Sequence, residues 1–229
     1  MSTTQQRIID VARQLFNEQG LHRVGVRDIA RAAEMSAGNL AYHFQTKDDL
    51  VAALVMELHE LNQRTIFSEL PADFSLVTLY RTAVAAMRNM LQFRFILLSY
   101  VDAVSVSPQL QAFDSALARK RRQRHDQMLE ALIDGGFIER RARTRSETIY
   151  EQSAMISSGW LGVAALRGWS DERAVLHFAK LGIALLEPFC TPRGQRQMRK
   201  ILNGDHDGGG HGEGPRQEQG QGQRERKRG

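Results

Sequence analysis

From Thr3 to Asn203 the apolar residues return every three or four positions, and no stretch alternates with the two-residue rhythm of a strand. That spacing predicts about nine or ten helices, an all-α fold. The first helix, about Thr3 to Gln19, gathers Ile8, Ala12, Leu15 and Phe16 on one face and stops at Gly20. Val26, Ile29, Ala30 and Ala33 then follow at i, i+3, i+4 and i+7. After a break at Glu34-Met35-Ser36, a second short helix from about Ala37 to Phe44 turns Leu40 inward. Two helices this short are marginal alone, so they must pack on the helices before and after them. Val26, Ile29, Met35 and Leu40 form their shared core, small Ala30 permits a close crossing, and Ser36 caps the second. The unit is a helix-turn-helix.

Five prolines punctuate the chain. Pro71 ends a long helical pattern and Pro188 closes another. Ser107-Pro108 and Thr191-Pro192 read as an N-cap followed by proline at the first helical position. Thr46 with Asp49, and Thr144 with Glu147, have capping-box spacing, and Gly135-Gly136 marks a stop. The segment 203–229 holds nine of the chain's 19 glycines and no large apolar residue. It cannot bury enough surface to offset its ordering entropy, and is expected to be a disordered tail. Asp205-His206-Asp207 and His211 fall there; a solvated tail is the expectation, with no metal site. Three segments result: 1–50, 51–202 and 203–229.

Composition narrows the class. The longest apolar stretch, Phe95 to Leu98, soon meets Ser99 and Asp102, far short of a membrane span. The first ten residues carry Arg7 and Asp10 and lack the apolar stretch of a signal peptide. A lone cysteine, Cys190, forms no internal disulfide or cysteine zinc site, as expected of a cytoplasmic chain. Net charge is +5, but residues 1–50 hold six basic and six acidic residues and 203–229 five of each. The whole excess sits in 51–202, so bulk charge does not point to the helix-turn-helix. A motif has to.

The outward face of the second short helix is Ala37, Gly38, Asn39, Ala41, Tyr42 and His43. Ala37 and Gly38 keep its N-terminus slim, so backbone N–H groups after Ser36 can approach phosphate. Asn39 can pair with adenine N6 and N7 through two hydrogen bonds. Tyr42 and His43 can reach phosphate oxygens. Lys47, beside Thr46, adds a cation at the next helix N-terminus, and Arg27 is placed to touch the flanking backbone.

Residues 4–55 resemble the DNA-binding domain of the TetR family of bacterial transcriptional regulators. The stretch that carries the resemblance is Val26-Arg27-Asp28-Ile29-Ala30, then Ser36 to Phe44, then Thr46-Lys47-Asp48-Asp49-Leu50. It implies that the second short helix enters the major groove and that Tyr42, His43 and Lys47 contact double-stranded DNA. It further implies a transcription factor rather than an enzyme, most often a repressor, with a larger helical ligand-binding and dimerisation domain. Three positions depart from the family pattern: Glu34 stands at the turn glycine, Gly25 at the Thr/Ser before the first short helix, and Ala41 at the first of two tandem aromatics. Ala41 removes one aromatic contact, although its methyl can meet a thymine methyl.

In 51–202 the reading rests on pattern. Two late helices, about Arg145 to Arg167 and Asp171 to Glu187, show Ile149, Ser153, Ile156, Trp160 and Val163, then Val175, Phe178, Ala179, Gly182 and Leu186. Small residues let these helices approach closely, and the family resemblance implies that such a pair meets its twofold mate as a four-helix bundle, giving a homodimer on a palindromic operator. Its two recognition helices must reach half-sites roughly 34 Å apart, a spacing a ligand can alter. Candidate ligand contacts are Phe95, Tyr100, Asp102, Arg121, Arg124, His125 and Trp160. Arg119 to Arg124 carries five cations in six positions, read either as a solvated face or as an anion site. No glycine-rich phosphate loop and no His-Glu-x-x-His occurs, so neither cofactor nor catalytic centre is expected. Two alternatives stay open: an activator, or a regulator controlled by a protein partner, with Arg224, Arg226, Lys227 and Arg228 of the tail adding phosphate contacts.

Overall fold

The computed structural model describes residues 3–66, 69–99 and 108–204. Tyr100, Asp102, the Ser107 cap, the acidic and histidine residues from Asp205 onward and the tail cations lie outside the described residues. Ten α-helices occur among the described residues. They are α1 (Thr3–Gln19), α2 (Val26–Ala32), α3 (Ala37–His43), α4 (Lys47–Ile66), α5 (Leu76–Leu91), α6 (Arg94–Leu98), α7 (Pro108–Asp134), α8 (Ser146–Leu166), α9 (Asp171–Ala184) and α10 (Pro192–Asn203). Short 3-10 turns at Arg140–Arg145 and Glu187–Phe189 join the later helices. No strand forms among them; Ile138 and Cys190 make an isolated antiparallel bridge.

Helix starts follow the side chains. The Ser36, Ser75, Ser170 and Thr191 hydroxyls each accept from a backbone N–H three residues on, tying down a donor that the helix leaves unpaired. Thr46 and Asp49 form a full capping box, Thr46 N to Asp49 Oδ2 at 2.8 Å and Asp49 N to Thr46 Oγ1 at 3.1 Å. The box expected at Thr144 and Glu147 does not form. The Thr144 hydroxyl donates instead to the Arg141 carbonyl at 2.8 Å, because a 3-10 turn runs straight into α8 and leaves no free first turn to cap.

Helix α2 ends in a Schellman turn: Met35 N–H bonds the Ala30 carbonyl at 3.0 Å and Glu34 N–H the Arg31 carbonyl at 3.1 Å. That turn requires a left-handed residue, and here it is Glu34, at φ +52°. Gly136 and Gly168 hold the same place after α7 and α8 at φ +69° and +61°. A Cβ in this region meets the carbonyl oxygen, so Glu34 carries strain that glycine would not.

Two cores result. The first joins Ile8, Ala12 and Phe16 of α1 with Ile29, Leu40 and the α4 residues Leu50, Leu54 and Leu58. It also takes in Phe93, Phe95 and Ile96 at α6 and Leu110 of α7. The boundary expected after residue 50 therefore falls inside α4, which runs unbroken out of the first core. The second core is built on α5, α7, α8, α9 and α10, around Tyr80, Leu132, Trp160, Phe178 and Met198.

Replacing Glu34 with glycine is expected to raise stability by about 1 kcal/mol, read as a higher midpoint in chemical denaturation. Gly136→Ala should lower stability by a similar amount, about 1 kcal/mol.

Candidate nucleic-acid interface

Helix α3 buries one residue, Leu40, which anchors it to α1, α2 and α4. Ala37, Gly38, Asn39, Ala41 and Tyr42 are exposed, and His43 is half-buried. The Tyr42 ring stands 85% exposed, with its edge contact to His43 at 5.2 Å between centroids. A tyrosine so placed contributes almost nothing to the fold. Ser36 Oγ accepts from Asn39 N–H at 3.1 Å, so the cap consumes a backbone donor and leaves the Asn39 side chain for other work. Arg27 is exposed in the first turn of α2, on a helix started by Gly25, whose N–H bonds Asp28 Oδ2 at 3.0 Å. Glycine supplies no capping hydroxyl, and Asp28 supplies half of the missing box.

Lys47 is placed differently. Its ammonium donates to the Leu21 carbonyl at 2.5 Å and lies 5.7 Å from the centre of the Phe16 ring. Burial holds its pKa below the usual lysine value. In this conformation it ties α4 to the loop after α1. Three further residues, Thr3, Thr4 and Arg7, escaped sequence reasoning. The Arg7 guanidinium bonds the Ala33 carbonyl at the end of α2, and Thr3, Thr4, Arg7, Met35 and Asn39 line an open cleft of about 280 Å³ beside α3. Arg7 lies off the apolar stripe of α1, the only sequence cue it gives.

The described candidate ligand residues fall in different parts of the fold. Phe95 is core: it packs on Phe16 at 5.1 Å, and its N–H bonds Asn17 Oδ1 at 3.2 Å. Trp160 is buried in the second core, its ring 6.3 Å from Phe178. Arg121 pairs with Asp114 at 3.1 Å, and Arg124 donates to the Ile66 carbonyl at 2.9 Å. Arg121 and Arg124 of the basic run are thus both engaged within the chain. His125 is half-buried against Tyr150, and burial lowers its pKa. His59, on α4, is pushed down to about 4, by burial first and then by Arg121, against the opposing pull of Asp114.

The residues expected at the dimer interface need correction. Ile149, Trp160, Val175, Phe178, Ala179 and Leu186 are all buried in this chain's own second core. Ser153, Ile156 and Gly182 are half-buried. Val163 of the expected stripe is exposed, beside Met155 and Leu166 on α8 and Leu181 on α9. Cys190 is buried, its thiol pushed up to about 11 chiefly by burial, and so is an unreactive packing residue.

A short capped helix, held by one leucine and offering its whole polar flank to solvent beside a second short helix, defines a helix-turn-helix DNA-binding protein. Residues 8–54 match the bacterial regulatory proteins of the tetR family, and residues 59–198 match a TetR family described as bacterial transcriptional repressor. The chain belongs to the TetR family, whose members are transcription factors. It is 26% identical over 208 residues to the HTH-type transcriptional regulator HbdR of Aromatoleum sp., covering 85% of this chain and 84% of that one. It is 38% identical over 71 residues to AcrR of Shigella flexneri, covering 31% of this chain. The chain spans about a third of the length of AcrR and of YttP from Bacillus subtilis. In fold it resembles a TetR-family regulator from Marinobacter aquaeolei, with a TM-score of 0.75, 18% identity and coverage of 89% and 97% of the two chains. It also resembles SmeT, the repressor of a multidrug efflux pump of Stenotrophomonas maltophilia, at TM-score 0.61 and 19% identity over 83% of this chain and 92% of that one. No described helix is long and apolar enough to cross a membrane.

The histidine gives a pH dependence. Unfolded, His59 titrates near 6.5; folded, near 4, so between these values the unfolded chain binds the extra proton. Stability should fall as pH drops from 6.5 to 4, by up to about 3 kcal/mol from this group. Urea melts across that window should show the fall, and His59→Phe should flatten it.

Proposed function

We propose that this chain is a dimeric, sequence-specific repressor released from a palindromic operator by a small-molecule ligand. The observation that carries the DNA reading is the α3 face, where Tyr42, Asn39 and the slim Ala37-Gly38 start are exposed and do no work within the fold. Asn39 reads adenine, Tyr42 and His43 hold phosphate, Arg27 touches the flanking backbone, and the N–H groups after Ser36 face the strand. Lys47 joins this set by leaving the Leu21 carbonyl, or else serves only to position the α4 N-terminus.

The dimer reading moves to the open stripe of α8 and α9. A Cβ added at Gly159, Gly162 or Gly182 would meet nothing within 4 Å, so none of the described residues uses the close approach that these glycines permit. Met155 is 76% and Leu166 91% exposed on the same helix. A second copy seated there would cover both and bring two helix pairs together. Ligand control is favoured by the family and by SmeT, which is described in complex with triclosan.

Fluorescence anisotropy on DNA from immediately upstream of the chain's own gene, against scrambled DNA, tests the first part. Selective binding is expected, weakened about tenfold or more by Tyr42→Ala, with no change in melting temperature. Binding indifferent to sequence in both proteins would overturn it. For the dimer, Met155→Glu with Leu166→Glu should yield a folded monomer in sedimentation, with loss of operator binding; a dimer that persists places the interface elsewhere.

A further inference from the structure

The excess positive charge of residues 51–202 is gathered at one end of the larger domain. Segments 135–145 and 187–203 hold eight basic residues and two acidic ones, an excess of six. The whole of 51–202 holds 20 basic and 15 acidic residues, an excess of only five. The backbone stitches the two segments together. Glu139 N–H bonds the Phe189 carbonyl at 2.8 Å, Thr191 N–H bonds the Phe137 carbonyl at 3.0 Å, and Ile138 bridges Cys190. Gly194 completes the seam: a Cβ there would overlap the Phe137 carbonyl oxygen, so only glycine lets α10 start this close.

Helix α10 buries Gly194, Met198 and Ile201 and leaves Arg193, Arg196, Arg199 and Lys200 exposed. It contains no acidic residue. Arg196, Arg199 and Lys200, with Arg140 and Arg145 of the adjoining 3-10 turn, pair with no carboxylate among the described residues. Arg141 and Arg143 differ, being held by Glu139 and Glu130. Like charges repel, so the fold gains nothing from collecting five unpaired cations at one end.

The surface between the charges decides which anion it suits. Two aromatic rings at this end are roofed by guanidinium groups, Phe137 by Arg193 at 4.3 Å and Phe189 by Arg141 at 5.3 Å. No large apolar side chain of α10 is exposed. The face therefore lacks the wedge that enters a bilayer and the apolar anchor that centres a protein interface. It is polar, rich in donors and cationic, as surfaces that dock on a phosphate backbone are.

Its place is wrong for the duplex that α3 engages. Helix α7 carries Leu110 into the first core and ends at Asp134, about 36 Å further along its axis. The 12 residues of α10 span about 18 Å from that end, so even a path straight back toward α3 stops about halfway.

We propose that the outward face of α10, with Arg140 and Arg145 beside it, binds the phosphate backbone of a second DNA duplex, so that a chain seated on its operator through α3 can hold another segment of DNA. This goes beyond the proposed function. The contact is made to phosphates alone, so it carries no sequence preference and weakens steeply with salt.

The test is the anisotropy of a fluorescein-labelled, scrambled duplex with the full chain. Wild type should bind it with an affinity that falls about a hundredfold between 50 and 200 mM salt, as about four phosphate contacts require. Arg196→Ala with Lys200→Ala should weaken binding about tenfold or more and lower the salt slope by about two. Both side chains are exposed and unpaired, so the melting temperature should not move. Tyr42→Ala should leave this binding unchanged. Scrambled binding that survives in the double variant, or that is lost with Tyr42→Ala, would overturn the proposal. Bridging is read on beads carrying the DNA upstream of the chain's own gene: beads saturated with wild type should capture the labelled scrambled duplex, and beads saturated with the double variant should not. A double variant that loses Tyr42-dependent binding to the upstream DNA would put α10 and α3 on one duplex and overturn it. Polyglutamate or anionic lipid vesicles that displace the scrambled duplex at equal charge concentration would make the partner an acidic protein or a membrane, and overturn it too. If Tyr42→Ala is harmless on upstream DNA while the double variant loses scrambled DNA, the α10 face stands and the operator reading of α3 falls.

Discussion

The fold turns on α4, the helix that runs out of the first core. Leu50, Leu54 and Leu58 seal the helix-turn-helix, and beyond them α4 meets α7, His59 against the Phe113 ring and the Ile66 carbonyl against Arg124. A second contact fixes the angle between the halves. Asn17 at the end of α1 donates to the Gln92 carbonyl at 2.9 Å and accepts from Phe95 N–H at 3.2 Å, while Phe16 packs on Phe95. Arg13 reinforces the joint, paired with Glu57 at 2.9 Å and lying 5.3 Å from the Phe93 ring centre. The helix-turn-helix is thus clamped to α6 at α1 and continued by α4.

The N-terminal half was legible because each of its signals has a single physical meaning. A seven-residue helix with one large aliphatic residue, Leu40, can face only one way, so its outward flank follows from the spacing. Ser36, Thr46 with Asp49, and Gly20 fixed the starts and stops through backbone bonds that extend over three or four residues. Glu34 was legible as an oddity, and the left-handed turn it occupies explains why glycine is usual there. Lys47 was not legible, because the carbonyl and ring that hold it come from Leu21 and Phe16, distant in sequence.

The larger domain was harder to read for a definite reason. Helix α8 is apolar around much of its circumference, so periodicity yields two candidate stripes and no means of ranking them. The stripe of Ile149 and Trp160 fills the chain's own core, and the adjacent stripe of Met155 and Leu166 is left outside. Small residues mislead in the same way: they mark where something comes close, without saying which molecule. His59 and Asn62 were invisible for the opposite reason, since they sit within an otherwise regular helix and only the structure shows them buried.

The helix-turn-helix half carries equal numbers of acids and bases, six of each over residues 1–50, and its Lys47 ammonium is already occupied by a carbonyl. In the proposed docking only Arg27, with Lys47 if it leaves its carbonyl, brings a cation to phosphate, so few counterions are released and the bulk electrostatic pull toward arbitrary sequence is small. Grip in that docking rests mainly on aimed hydrogen bonds from neutral groups, which ionic strength weakens less than a many-cation contact. Such an interface would hold its site through swings of cellular salt while spending little time on the rest of the chromosome.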